Sequence, residues 1–104
     1  MDKQGKHYCM ESGKLIYQMP KEVDHHVAKE LSAELDRLKE TYGIHEVKLD
    51  FSQTEFMDSS GIGVIIGRSK RMRFRSGVLL ATGVGKRVDT ILRSAGLYQL
   101  LKVE

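Results

Sequence analysis

E46-V-K-L-D-F51 and, a short loop later, F56-M-D-S-S-G-I-G63 together decide the fold. In the first, Val47, Leu49 and Phe51 alternate with polar residues, the period of a strand with one covered face. The second leads into a helix from about Ser59 to Arg75, with Ile62, Ile65, Ile66, Ser69 and Met72 on its inner side. A strand handing over to a helix is half of a β-α-β unit, so the flanking segments settle how the sheet is built.

Downstream, G77-V-L-L-A-T82 is a continuous apolar run suited to a central strand. Val88, Ile91, Leu92 and Ala95 mark a further helix closed by Gly96, and L97-Y-Q-L-L-K-V103 reads as a final strand. Upstream, H7-Y-C-M-E11 and K14-L-I-Y-Q-M19 form a hairpin around Ser12-Gly13. Asp24 is an N-cap candidate for a helix whose Val27, Leu31, Leu35, Leu38 and Tyr42 recur at helical spacing, and Gly43 stops it. The order is β-β-α-β-α-β-α-β. Helical crossovers require parallel strands while the opening hairpin is antiparallel, so the sequence predicts a small α/β domain with a mixed sheet and helices mainly on one face. It spans residues 1–104 as a single domain, with the polar residues 1–6 expected to be flexible.

Composition narrows the function classes. With 104 residues, 40% hydrophobic and 30% charged, the chain reads as a soluble globular domain. The sequence carries no bilayer-length apolar run and no signal-type N-terminal segment, which points to the cytoplasm. The single Cys9 cannot form an internal disulfide and, lying in an apolar strand, reads as a buried, inert thiol. The net charge of +3 owes much to R68-S-K-R-M-R-F-R75, which holds five basic residues. Wound at helical pitch these spread over more than one face, and no aromatic ladder accompanies them. A solvated helix end suited to the helix dipole therefore accounts for them better than a nucleic-acid surface does.

The chemistry of the opening motif is that of a helix start. Asp58, Ser59 and Ser60 occupy the first turn, where unpaired N–H groups favour anions, and Phe56 and Met57 are expected to tuck the loop against the core. Capping alone explains an acid and hydroxyls there. It does not explain Gly61, Gly63 and Gly67, since glycine costs about 1 kcal/mol relative to alanine within a helix. Gly63 and Gly67 fall on the outer side with Lys70 and Phe74, so the sequence predicts a bare, accessible surface beside two serines. Close packing against another helix is the competing account.

Catalytic patterns fit poorly. G61-I-G-V-I-I-G67 has one residue too many for a dinucleotide loop, does not directly follow its strand, and finds no acid around Thr82–Val84. The P-loop ending and the Gly-x-Ser-x-Gly elbow are absent as well. In D24-H-H26 the neighbouring histidines of a helix point about 100° apart and cannot converge on one ion, so no metal is expected.

At F56-M-D-S-S-G-I-G-V-I-I-G-R68 the chain strongly resembles the STAS domain family, in particular bacterial anti-sigma-factor antagonists of the sporulation type. V23-D-H-H26 and R93-S-A-G-L97 support the likeness, which covers nearly the whole chain. The resemblance implies a non-enzymatic switch. The unmodified protein is expected to bind an anti-sigma factor that is also a serine kinase, and so to free the sigma factor. Phosphorylation of Ser59 by that kinase turns binding off, and a PP2C-type phosphatase resets it. Asp24 matches a position near the family's partner-binding surface, and Asp58, Ser59, Ser60, Gly61, Gly63 and Gly67 complete the expected contact region. ATP belongs to the partner, so no cofactor is expected on this chain. Two departures from the family pattern stand out: Pro20 precedes K21-E-V-D24 where many relatives have a glycine-containing turn, and the sequence stops at Glu104, short of the family's usual C-terminal helix. A STAS-type sensor of small ligands or nucleotides is the alternative reading, and a nucleic-acid binder comes third.

Overall fold

The computed structural model describes residues 3–4, 7–58, 61, 63–64, 67, 78–99 and 101–104. Strands β1 (Lys3–Gln4), β2 (Tyr8–Glu11) and β3 (Lys14–Gln18) open the chain. They are followed by β4 (Glu22–Val23), α1 (His25–Tyr42), β5 (Glu46–Asp50) and β6 (Phe56–Met57). Gly61, Gly63, Val64 and Gly67 are helical. After them come β7 (Val78–Thr82), α2 (Lys86–Ser94), a 3-10 turn at Leu97–Gln99, and β8 (Lys102–Val103).

The main sheet has the order β1-β2-β3-β5-β7-β8. Its first two pairings are antiparallel and the other three are parallel, the mixed sheet that hairpin and crossovers require. The hairpin turns through Ser12 (φ 52°) and Gly13 (φ 77°). Two successive positive φ values suit a two-residue turn whose twist matches its strands. In register, Leu15, Val47 and Leu79 lie side by side, as do Tyr17, Leu49 and Ala81, and all six are buried. Leu35 and Leu38 of α1, Val88 and Leu92 of α2, and Val64 join them in one core cluster. The opposite face keeps Ile16 44% exposed, so α1 and α2 cover one side of the sheet.

Both ends of α1 follow the sequence. Asp24 Oδ1 accepts the Val27 N–H at 2.8 Å, and Gly43 takes a left-handed conformation (φ 61°) while its N–H reaches the Lys39 carbonyl.

Several expectations are corrected. Lys3 and Gln4 pair with Met10 and Cys9, and the other residues of the 1–6 stretch fall outside the described residues. Residues 97–103 do not form one strand. Leu97–Gln99 form a 3-10 turn, Leu97 and Leu101 are both buried, and the Leu101 N–H bonds the Leu97 carbonyl at 3.1 Å, four residues back as in a helix. The strand shrinks to Lys102–Val103 against Leu80 and Ala81. Tyr42 is 42% exposed and Ala95 is exposed too, each at the final turn or cap of its helix beyond the core's edge. Cys9 is half-buried instead of buried. The inner row at Ile62, Ile65, Ile66, Ser69 and Met72, and the basic run Arg68–Arg75, fall outside the described residues.

Candidate functional site

The element that the sequence does not announce is the one that assembles the site. β4 and β6 form a separate two-stranded parallel sheet, with Glu22 opposite Phe56 and Val23 opposite Met57. Each strand is followed at once by an aspartate that starts a helix: Asp24 after Val23, and Asp58 after Met57. Since the strands run in parallel and in register, the two aspartates come next to each other one step beyond the pair. The Asp58 N–H continues the ladder by bonding the Val23 carbonyl at 3.1 Å.

Local chemistry holds this arrangement. Carbonyls of the segment after β3 accept donors from the loop before the motif: Met19 from Gln53 Nε2 at 3.0 Å, Pro20 from Thr54 Oγ1 at 2.8 Å, and Lys21 from the Glu55 N–H at 2.8 Å. Thr54 is buried, so its hydroxyl bond replaces water contacts that burial removed. Pro20, the departure from the family's pattern, thus sits in a segment fastened by its own carbonyl.

Asp58 acts as the second cap. Its Oδ1 accepts the Gly61 N–H at 3.2 Å, three residues on, as Asp24 does for Val27. The N-terminus of α1, the positive end of its dipole, therefore starts beside the turn that Asp58 caps. Ser59 and Ser60 lie outside the described residues, bracketed by Asp58 and Gly61.

The three glycines separate into two kinds. A Cβ on Gly61 would stand 2.3 Å from Met57 Cγ and 3.0 Å from Val23 Cγ1. Gly61 is buried, and only hydrogen fits where the helical turn rests on the β4–β6 pair. At Gly63 and Gly67 a Cβ would meet nothing within 4 Å. Gly63 is exposed and Gly67 half-buried, so these two leave the outer surface bare, as their wheel positions predict. Met57 is buried against this turn, whereas Phe56, expected to tuck inward, is 52% exposed. Alternation along β6 sends adjacent side chains to opposite sides, so only one of the two can face the core.

The described histidines with contacts are engaged separately. His26 Nε2 lies 3.2 Å from Glu30 Oε1, and His45 Nε2 lies 3.3 Å from the Ser12 carbonyl. Among the described residues no group of three or more His, Cys, Asp or Glu is placed to hold a metal ion. Among them, too, no helix is long and apolar enough to cross a membrane.

A STAS domain profile matches residues 4–104 of the sequence. The chain belongs to the STAS domain family. Similar curated proteins include the anti-sigma F factor antagonist of Paenibacillus polymyxa, 30% identical over 91 residues that cover 88% of this chain and 78% of that one. The anti-sigma-B factor antagonist of Listeria monocytogenes is 28% identical over 89 residues, covering 79% and 78%. Among solved structures, the anti-sigma factor antagonist SpoIIAA in its unphosphorylated form superposes with a TM-score of 0.78 at 21% identity, covering 88% of this chain and 79% of that chain. The phosphorylated form of the Bacillus protein gives 0.75 at 17% identity, covering 100% and 89%. At those identities the structures speak for the fold, which the STAS domain here shares.

The adjacency of Asp24 and Asp58 is what sequence reasoning missed. The usable signal was a repeated step: V23-D24 and M57-D58 each place an apolar residue and an acid directly before a helix.

Proposed function

We propose that this STAS domain is an anti-sigma-factor antagonist acting in the cytoplasm as a non-enzymatic, phosphorylation-switched binding module. Its partner in this reading is an anti-sigma factor with serine kinase activity, which carries the ATP. Ser59 is the phosphate acceptor, and a PP2C-type phosphatase removes the group. The contact surface takes in Asp24, Asp58, Ser59, Ser60, Gly63 and Gly67, with Gly61 serving beneath it as the packing point. The observation that carries the reading is the in-register Val23–Met57 pair, which sets two aspartate-capped helix starts next to each other beside the bare glycine at 63.

Physical reasoning favours a local switch. A phosphoserine adds about −1.5 to −2 charges near pH 7, and a helix start is where added negative charge is best tolerated. The carboxylates of Asp24 and Asp58 oppose the added charge, so the gain within the domain is partly cancelled. A partner docked across the glycine surface meets the full cost: new bulk, new charge, and groups desolvated without complement. Release without unfolding is the expected result.

Incubation with the cognate anti-sigma kinase and ATP should add one phosphate, lost in Ser59→Ala. Ser59→Asp should abolish complex formation by gel filtration or calorimetry. Phosphate on Ser60, or a Ser59→Asp variant that still binds at wild-type strength, sinks the assignment. The nucleotide-sensor alternative receives no support from the cavity between α1 and β3, whose lining includes Glu30 and Glu34 and so repels phosphates.

A further inference from the structure

Between α1 and the strand end of β3 lies a cavity of about 380 Å³. One wall is a single stripe of α1: Val27, Glu30, Leu31 and Glu34, spaced i, i+3, i+4 and i+7. An amphipathic helix normally turns such a stripe wholly apolar toward its sheet; here the stripe carries two carboxylates. The facing wall is Tyr17, whose hydroxyl donates to Glu34 Oε1. Its ring stacks on that of Tyr8, with centroids 6.3 Å apart and planes 9° from parallel. Pro20 closes the apolar side, and His7 and Gln18 stand at the rim.

The charge balance of the lining is negative. A carboxylate can accept about four hydrogen bonds. Tyr17 occupies one site on Glu34, and Arg37 Nη2, outside the lining, comes only within 3.8 Å of its other oxygen. Glu30 has the exposed His26 imidazole at 3.2 Å. Among the described residues the cavity receives Tyr17 and Gln18 from β3, and His7 from the chain before β2. Burial, then the bond to Glu34, pushes the Tyr17 hydroxyl's pKa upward, so that hydroxyl stays a donor and holds the carboxylate in place.

The geometry points to a binding site for a small organic cation, a protonated primary amine on a short apolar stem. The volume suits such a ligand. Its stem lies along Val27, Leu31 and Pro20, and its ammonium offers three donors to the carboxylates of Glu34 and Glu30. This site is separate from the proposed switch and does not depend on it.

Titration of the ¹⁵N-labelled full chain with n-butylammonium tests the site. Saturable amide shifts are expected at Gln18, Val27 and Leu31, with none for butyrate. Glu34→Gln keeps an acceptor for Tyr17 but loses the charge, and should weaken binding by about tenfold or more. Glu30→Gln, on the exposed rim, should weaken it in the same sense and serves if Glu34→Gln does not fold. Nα-acetyl-lysine amide presents the same head and stem: tighter binding than butylammonium assigns the cation to a polypeptide side chain, weaker binding to a free amine. Equal shifts with neutral butanol, unchanged affinity in both variants, or no saturation by on the order of tens of millimolar overturns the proposal.

Discussion

The helix start at Asp24 and the one at Asp58 use the same cap and then diverge. At Asp24 the carboxylate is followed by His25, His26, Val27 and Ala28, and the helix goes on to bury Leu31, Leu35 and Leu38. At Asp58 it is followed by two hydroxyl residues and by glycines that alternate between buried and bare. The first root is committed to packing. The second packs Gly61 against Met57 and Val23 and Val64 into the core, and leaves open space beside Gly63 and Gly67. Capping thus fixes where a helix begins, while the residues after the cap decide whether that end anchors the fold or offers itself to another molecule.

The contrast can be broken most severely at Gly61. Gly61→Ala drives a methyl into Met57 and Val23, and overpacking of this kind costs about 1–3 kcal/mol. In a domain of this size each kcal/mol lowers Tm by roughly 4–8 °C, so thermal melting followed by circular dichroism reads it directly. An unchanged Tm would mean that the turn does not rest on the β4–β6 pair. Next comes Asp24→Ala, which removes a cap bond worth about 1 kcal/mol and should shift the urea midpoint without altering the slope. Gly63→Ala should do the reverse: stability rises by up to about 1 kcal/mol because nothing opposes the methyl, while affinity for the anti-sigma partner drops. Loss of stability there would erase the distinction between the two kinds of glycine.

The smallest effect concerns a third helix start, which sharpens the comparison because it lacks a side-chain cap. α2 begins at Gly85, and its first-turn acid, Asp89, is engaged by the Tyr98 hydroxyl and by Arg93 at 3.1 Å. The Tyr98 bond, and then Arg93, hold the Asp89 carboxyl below the usual range. A depressed folded-state pKa stabilises above the unfolded value, near 3.9, and that contribution fades as pH falls through the lower folded value. Tyr98→Phe should therefore cost stability at neutral pH and lose that effect below about pH 4, where the acid-unfolding limb of the variant should approach that of the parent. A difference between the two proteins that grows on acidification would contradict the assignment.

Much of the fold was legible because it rests on long periodic segments and on residues with special backbone needs. The Ser12-Gly13 turn, the Asp24 and Gly43 ends of α1, and the alternation in β5 were all readable from residue type and spacing. β4 and β6 were not, since two residues carry no periodicity, and their pairing joins positions far apart in the chain. Phe56 misled for the same reason: without knowing that it lies in a strand, nothing says which of Phe56 and Met57 turns inward. The spacing of Leu97 and Leu101 puts both on one face in a strand as in a helix, so the apolar content of 97–103 favoured a strand. At the candidate site, residue types and the wheel positions of Gly63 and Gly67 were visible, the closeness of Asp24 to Asp58 was not, and Ser59 entered through family resemblance.

The hydrogen bond from the Asp58 amide to the Val23 carbonyl joins two structural roots with one proton. That proton leaves to solvent only when β4 and β6 part. Its isotope-exchange rate is therefore a built-in gauge: a modification that merely repels a visitor leaves the needle still, and one that pries the helices apart moves it.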